Sequence, residues 1–294
     1  MPMSPMLPPE LEKAVFQQAA YESPHSIPTM MRVAWRFKIW LEPMLYNIMT
    51  MLGTRSQHPL RGYPMYSFAL ESEEEAASSS RTALIASSLR QLCINAVALP
   101  EALRVLPGST SIDNLWISTD GWDYPLWPLI GALRPRRLHC YLETLLYDPR
   151  HPIGLDHDFF GNITHLEILR VFHVEVVPEI CEGLEGLGNL THLAFNDWVF
   201  VPMSMGLLRG CAKLRVLVFL GPQTLDVTEN LRELCKEARF VQMSCTERIK
   251  DWHMGAVGGV DYWSRAEEFV EMRRRGEVDP LQFAILDEES ERLL

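Results

Sequence analysis

Two six-residue stretches set 27 residues apart decide how this chain folds: Ile163-Thr164-His165-Leu166-Glu167-Ile168 and Leu190-Thr191-His192-Leu193-Ala194-Phe195. Both follow the pattern L-x-x-L-x-I. In a strand of period two, the last two apolar places share one face and the residues between them point to the other. Working outward, the pattern recurs at Leu89, Leu92 and Ile94, at Ile112, Leu115 and Ile117, and at Leu214, Leu217 and Phe219. Weaker copies stand at Leu138 and Cys140 and at Val241 and Met243. The central positions 92, 115, 138, 166, 193, 217 and 241 are separated by 23, 23, 28, 27, 24 and 24 residues.

That spacing is the period of leucine-rich repeats, about 20–29 residues. Helix-compatible stretches fall between the strands at 100–106, 126–133, 178–187, 202–209 and 227–238. Each unit pairs a strand with a helix that cannot bury its face alone, so stacking is required. The expected fold is therefore α/β, an irregular solenoid of parallel strands with outer helices across residues 89–248. An ordinary α/β domain with a chance alternation of leucines is the alternative. Residues 51–88, containing the run Glu71-Ser72-Glu73-Glu74-Glu75, read as a solvated linker. Residues 249–294 read as a C-terminal cap and tail, which a solenoid needs to cover its last layer.

The residues between the leucines form the opposite strand face. They are mostly polar with scattered aromatics from Gln91 to Asn196, including Trp116, Tyr141, His165, Glu167 and His192, with Trp198 just past a strand. Such a mixture suits protein recognition, and these six residues are the candidate substrate-binding set. Trp122 and Tyr124 belong to the same composition. The set then turns apolar at Val216, Val218 and Leu220, and Phe240 is read as continuing it. A contiguous apolar patch marks a contact. Trp252, Tyr262, Trp263 and Phe269 of the tail are the expected cover, which would confine recognition to the earlier repeats.

Ahead of the repeats, residues 7–50 read as short helices. Leu11, Val15, Phe16 and Ala19 recur at helical spacing behind Pro8-Pro9-Glu10, and a second stripe runs through Met30, Val33, Phe37, Trp40 and Leu41 to Pro43. This segment resembles an F-box, in the Leu-Pro-Pro-Glu-Leu form found ahead of leucine-rich repeats in many fungal proteins. The matching residues are Leu7, Pro8, Pro9, Glu10, Leu11, Val15 and Phe16, then Val33, Ala34, Arg36, Phe37, Trp40, Pro43, Leu45 and Tyr46. The resemblance implies a small three-helix bundle over residues 1–50 that docks on the Skp-type adaptor of a cullin ubiquitin ligase. It assigns adaptor contact to Leu7, Pro8, Pro9, Leu11, Val15, Phe16, Trp40, Leu45 and Tyr46. A helical end cover for the array is the alternative for the same residues.

Charge and motifs narrow the function further. Of 294 residues, 27 are Lys or Arg and 38 are Asp or Glu, giving −11. Residues 1–70 hold six basic and four acidic side chains, which leaves −13 on the rest. This balance argues against tracking nucleic-acid phosphates. No apolar run approaches the roughly 18 residues of a membrane span, and the first residues lack a signal peptide's charged and apolar regions. Six cysteines without a C-x-x-C pair read as free thiols of an intracellular protein, cytoplasmic or nuclear. No G-x-S-x-G, H-E-x-x-H or G-x-x-x-x-G-K-[ST] occurs, so no enzyme activity and no cofactor are expected. His151, Asp156, His157 and Asp158 are more simply loop residues than metal ligands. The sequons at Asn162 and Asn189, like His165 and His192, occupy matching phases of two repeats and read as repeat structure. The sequence thus implies a non-catalytic interaction adaptor with an unidentified protein substrate, or a stand-alone repeat scaffold without a ligase.

Overall fold

The spacing of the leucines translates directly into a ladder of strands. The computed structural model describes residues 7–51, 80–95, 106–118, 127–147, 153–221 and 229–285. Three helices come first: α1 (Pro9–Glu22), α2 (Ile27–Met30) and α3 (Trp35–Leu45). Strand β1 (Ile48–Met51) and helix α4 (Ser80–Ser88) precede β2 (Gln91–Asn95), β3 (Asn114–Ser118), α5 (Trp127–Ile130), β4 (Arg137–Cys140) and α6 (Leu142–Leu146). Then follow β5 (His165–Ile168), α7 (Val177–Glu185), β6 (His192–Phe195), α8 (Ser204–Gly210), β7 (Val216–Leu220), α9 (Glu229–Lys236) and β8 (Phe240–Met243). The described chain closes with α10 (Arg248–Ala256), α11 (Tyr262–Arg275) and β9 (Ala284–Ile285).

The nine strands among the described residues form one parallel sheet in sequence order, a solenoid-like α/β arrangement. Leu92, Leu115, Leu138, Leu166, Leu193 and Leu217 pair in register across six consecutive strands. Each is fully buried, in one continuous core with Ile85, Ile130, Ile180, Leu184, Leu207 and Leu234 of the outer helices. Burying each leucine contributes about 1.5–3 kcal/mol. A parallel sheet needs both faces covered, and the outer helices supply one cover.

Two registers differ from expectation. First, β1 lies across the 50/51 boundary, where a helical segment was expected to give way to a linker. Met49 pairs with Leu92, and buried Tyr46 stands three residues ahead of it as Leu89 does ahead of Leu92. Second, Phe240 pairs with Leu217 and Val241 with Val218. The central position of β8 is therefore Phe240 and not Val241. A one-residue slip turns every side chain over. Phe240 enters the leucine core, and Val241 and Met243 take the opposite face. Parts of the expected linker, Trp122, Tyr124 and His151 lie outside the described residues, as do residues 286–294.

The other face of the sheet is covered by the end of the chain. Tyr262, Trp263, Ala266, Phe269 and Val270 of α11 pack with Ala194, Val216, Val218, Leu220, Val241, Met243 and Ile285. The expected apolar cover is present, but it reaches further. Trp252 of α10 lies over the first repeats, against Cys93, Trp116 and Leu169, and donates its indole N–H to Asn114 Oδ1 at 3.0 Å. Asp261 caps α11, accepting from Ser264 N at 2.8 Å. Gly276 ends it at φ 74, a left-handed position where a Cβ would be strained. Buried Arg273 donates to the carbonyls of Cys235, Glu237, Phe240 and Pro280, which ties the helix end to the segments flanking β8 and β9.

Candidate interaction surfaces

The N-terminal helices have their own small core of Ala20, Ile27, Phe37 and Leu41. Phe16 stacks on Phe37 at 3.9 Å between ring centroids. Arg36 Nε and Nη2 donate to Glu12 Oε2 and Oε1 at 2.9 and 2.8 Å, pinning the start of α3 to the start of α1. Leu7 lies two residues ahead of α1, and Leu11 and Val15 stand four apart on it and share one stripe. The three are 46%, 54% and 56% exposed. Val33, Trp35 and Ile39 at the start of α3 are exposed too, Trp35 at 71%. The N-terminal segment therefore presents six large apolar side chains to solvent, of which Ile39 lines a cleft with Lys13 and Trp35 lies under Lys38.

Of the nine residues assigned to adaptor contact, Leu7, Pro8, Pro9, Leu11 and Val15 are exposed. Phe16, Trp40 and Leu45 pack against the bundle core, and Tyr46 is buried in the leucine core of the sheet. Leu45 touches both cores. Tyr46 thus serves the sheet, and the apolar surface is carried instead by Val33, Trp35 and Ile39.

The six residues assigned to substrate binding have a different fate. Trp116, Glu167 and His192 are buried, His165 and Tyr141 are partly buried, and Trp198 is exposed. The expectation of an open recognition face on the earlier repeats is corrected by α10 and α11, which lie over it. Glu167 is the centre of what they enclose. Its Oε2 lies 2.7 Å from His139 Nδ1 and accepts the Tyr262 hydroxyl at 2.9 Å, and its Oε1 accepts Arg248 Nη1 at 3.4 Å. Trp116 stacks on His139 at 5.0 Å. Burial, then the Glu167 carboxylate, push the Tyr262 phenol well above its usual range. Arg137 Nη1 reaches Asp261 Oδ2 at 3.2 Å and so ties β4 to the cap of α11.

His165 and His192 stack face to face at 4.0 Å, with Trp263 set edge-on to both. Burial lowers His165 to about 2, aided by His192 and Arg137. Burial also lowers His192 to about 4, aided by Arg215 and Arg137. The threonines before them make the repeat ladder: Thr191 Oγ1 donates to Thr164 O at 3.0 Å, and Thr164 Oγ1 to Arg136 O at 3.1 Å. His157 Nδ1 accepts from Phe159 N, a turn cap, and no metal-ligand cluster occurs among the described residues. No described helix is long and apolar enough to cross a membrane. Sequence reasoning missed Arg248 and the Tyr262 hydroxyl as partners of Glu167, because separations of 81 and 95 residues leave no periodic trace. In comparisons with protein-family models, curated proteins and solved structures, nothing matches this chain.

Proposed function

We propose that this chain is a non-catalytic interaction adaptor whose N-terminal bundle, resembling an F-box, docks on a Skp-type adaptor of a cullin ubiquitin ligase. The repeats would then hold a protein substrate for ubiquitination by the partners. The observation that carries this reading is the exposed pair Leu11 and Val15 on one stripe of α1, with Leu7 exposed just ahead of the helix. Exposed apolar side chains on one stripe of a bundle with its own core are a surface that a partner would cover. The test is co-purification with a Skp-type adaptor. Leu7→Glu with Leu11→Glu should abolish it while leaving the helical circular-dichroism signal unchanged, and undiminished co-purification would remove the docking assignment.

A second reading, a repeat scaffold without a ligase, is favoured by one specific contact. Leu45 packs against both cores, and Tyr46 belongs to the sheet, as expected of helices that cover the first strand. On that reading the double variant binds as the parent does, and deleting residues 7–45 destabilises the repeats.

A further inference from the structure

Below the starts of β2 to β5 lies a cleft of about 1040 Å³, walled on one side by α1 and α3 and on the other by α10. The residue two places before each central leucine lines the edge of the sheet there. Across the repeats that phase reads Arg90, Asp113, Arg136, Thr164, Thr191 and Arg215. The first four line the cleft, together with Lys13 and Arg137. Four cations thus meet one carboxylate, in a chain whose net charge is −11.

Most of that charge is uncommitted. Arg137 is paired with Asp261, but Arg90 Nη1 donates only to the carbonyls of Ser87 and Leu89. Among the described residues, no ion pair holds Lys13, Arg90 or Arg136. The cations do not converge on a point. Arg90 and Arg136 precede strands two apart, a separation of about 10 Å at the usual strand spacing, and Lys13 stands on the facing helix. The walls between them are mixed, with Ile39, Trp40, Met44 and Ile249 set among polar side chains such as Gln17, Asn47 and Asn114. Gln91 also lines the cleft.

We propose that this cleft binds an extended acidic peptide segment with interspersed apolar side chains. The claim rests on the adaptor reading only for the identity of the owner of that segment, the recruited protein. Spread cations with interspersed apolar side chains suit a chain of several carboxylates and apolar residues better than a compact anion. Substrate contact therefore moves from the covered strand face to the edge of the sheet, within reach of the bundle.

The test uses the full chain and fluorescence anisotropy with a labelled peptide mixing Glu, Asp, Leu and Phe. Binding should weaken about tenfold or more, a loss of about 1.4 kcal/mol, for the Gln/Asn counterpart of the peptide and for Arg136→Glu. Asp113→Asn should tighten it. Added salt should weaken it, because the charges stand at a solvent-open edge. A melting temperature checks that Arg136→Glu folds, and Lys13→Glu on a different element gives the same readout if it does not. No binding, binding indifferent to both charge reversals, or displacement by millimolar inorganic phosphate would overturn the proposal. Leu11→Glu separates the two claims: it should leave peptide affinity intact, whatever it does to co-purification with the adaptor.

Discussion

The two faces of the sheet are built on different principles. Toward the outer helices stands a column of leucines, each supplied by the same phase of a local repeat and each packed on its neighbours in sequence. Toward α10 and α11 stands a mixed surface whose partners come from far along the chain: Asn114 meets Trp252, Arg137 meets Asp261, and Glu167 meets Arg248 and Tyr262. The first face draws its stability from area removed from water, which is tolerant of detail. The second adds to its apolar cluster a set of specific long-range hydrogen bonds, and loss of one leaves a buried polar group whose desolvation costs more than the bond itself contributes. One face makes a solenoid possible; the other fixes a single closed state of it.

The largest expected effect tests the leucine face. Leu193→Ala removes a fully buried side chain from the middle of a continuous core and should cost about 2–5 kcal/mol in denaturant unfolding. A loss below about 1 kcal/mol would mean that neighbouring repeats relax into the space and that the column is loosely packed.

On the opposite face, Glu167→Gln keeps the volume but cannot satisfy His139, Tyr262 and Arg248 together. The expected loss is about 1–3 kcal/mol. Adding Tyr262→Phe should then cost less than it does alone, because the two groups share one bond. Additive losses would show that the network is less coupled than its geometry implies.

The smallest effect at neutral pH concerns the stacked histidines. Their folded values lie below the ordinary 6.5, so the unfolded chain binds their protons more strongly and acid favours unfolding. Their contribution is complete above pH 6.5. It is lost as pH falls toward about 4 for His192 and about 2 for His165. His192→Gln should leave stability at pH 7 nearly unchanged and flatten its decline between pH 6.5 and 4. An unaltered slope would place the acid sensitivity elsewhere.

The contrast also explains what the sequence made legible. Local repetition announced β2 to β7 and their register, because Leu-to-Leu spacing and the strand period are written in neighbouring residues. It was silent at β1, where the same L-x-x-L-x-I phase is occupied by Tyr46, Met49 and Met51. It misplaced β8 by one residue, since Phe240 and Val241 are both plausible core residues and only packing chooses between them. The tail cover was legible from its complement, the apolar set at Val216, Val218 and Leu220. The extension of α10 over Trp116 and Asn114 was not, because polar strand residues look alike whether they await a partner or already have one. Arg90, Arg136 and Arg215 did leave a signal, a shared phase two residues before the central leucine. It becomes meaningful only when the bundle is seen to stand opposite two of them.

Order of synthesis gives α11 a further consequence. Leu220 is made 65 residues before Ile285, which joins the same apolar cluster. At about 5–20 residues per second, the interval between the two is about 3–13 s. For most of it, until Tyr262 to Val270 are made, Val216, Val218 and Leu220 have leucine neighbours behind them and nothing in front. The nascent chain is therefore a half-finished object with a sticky side for seconds on every ribosome.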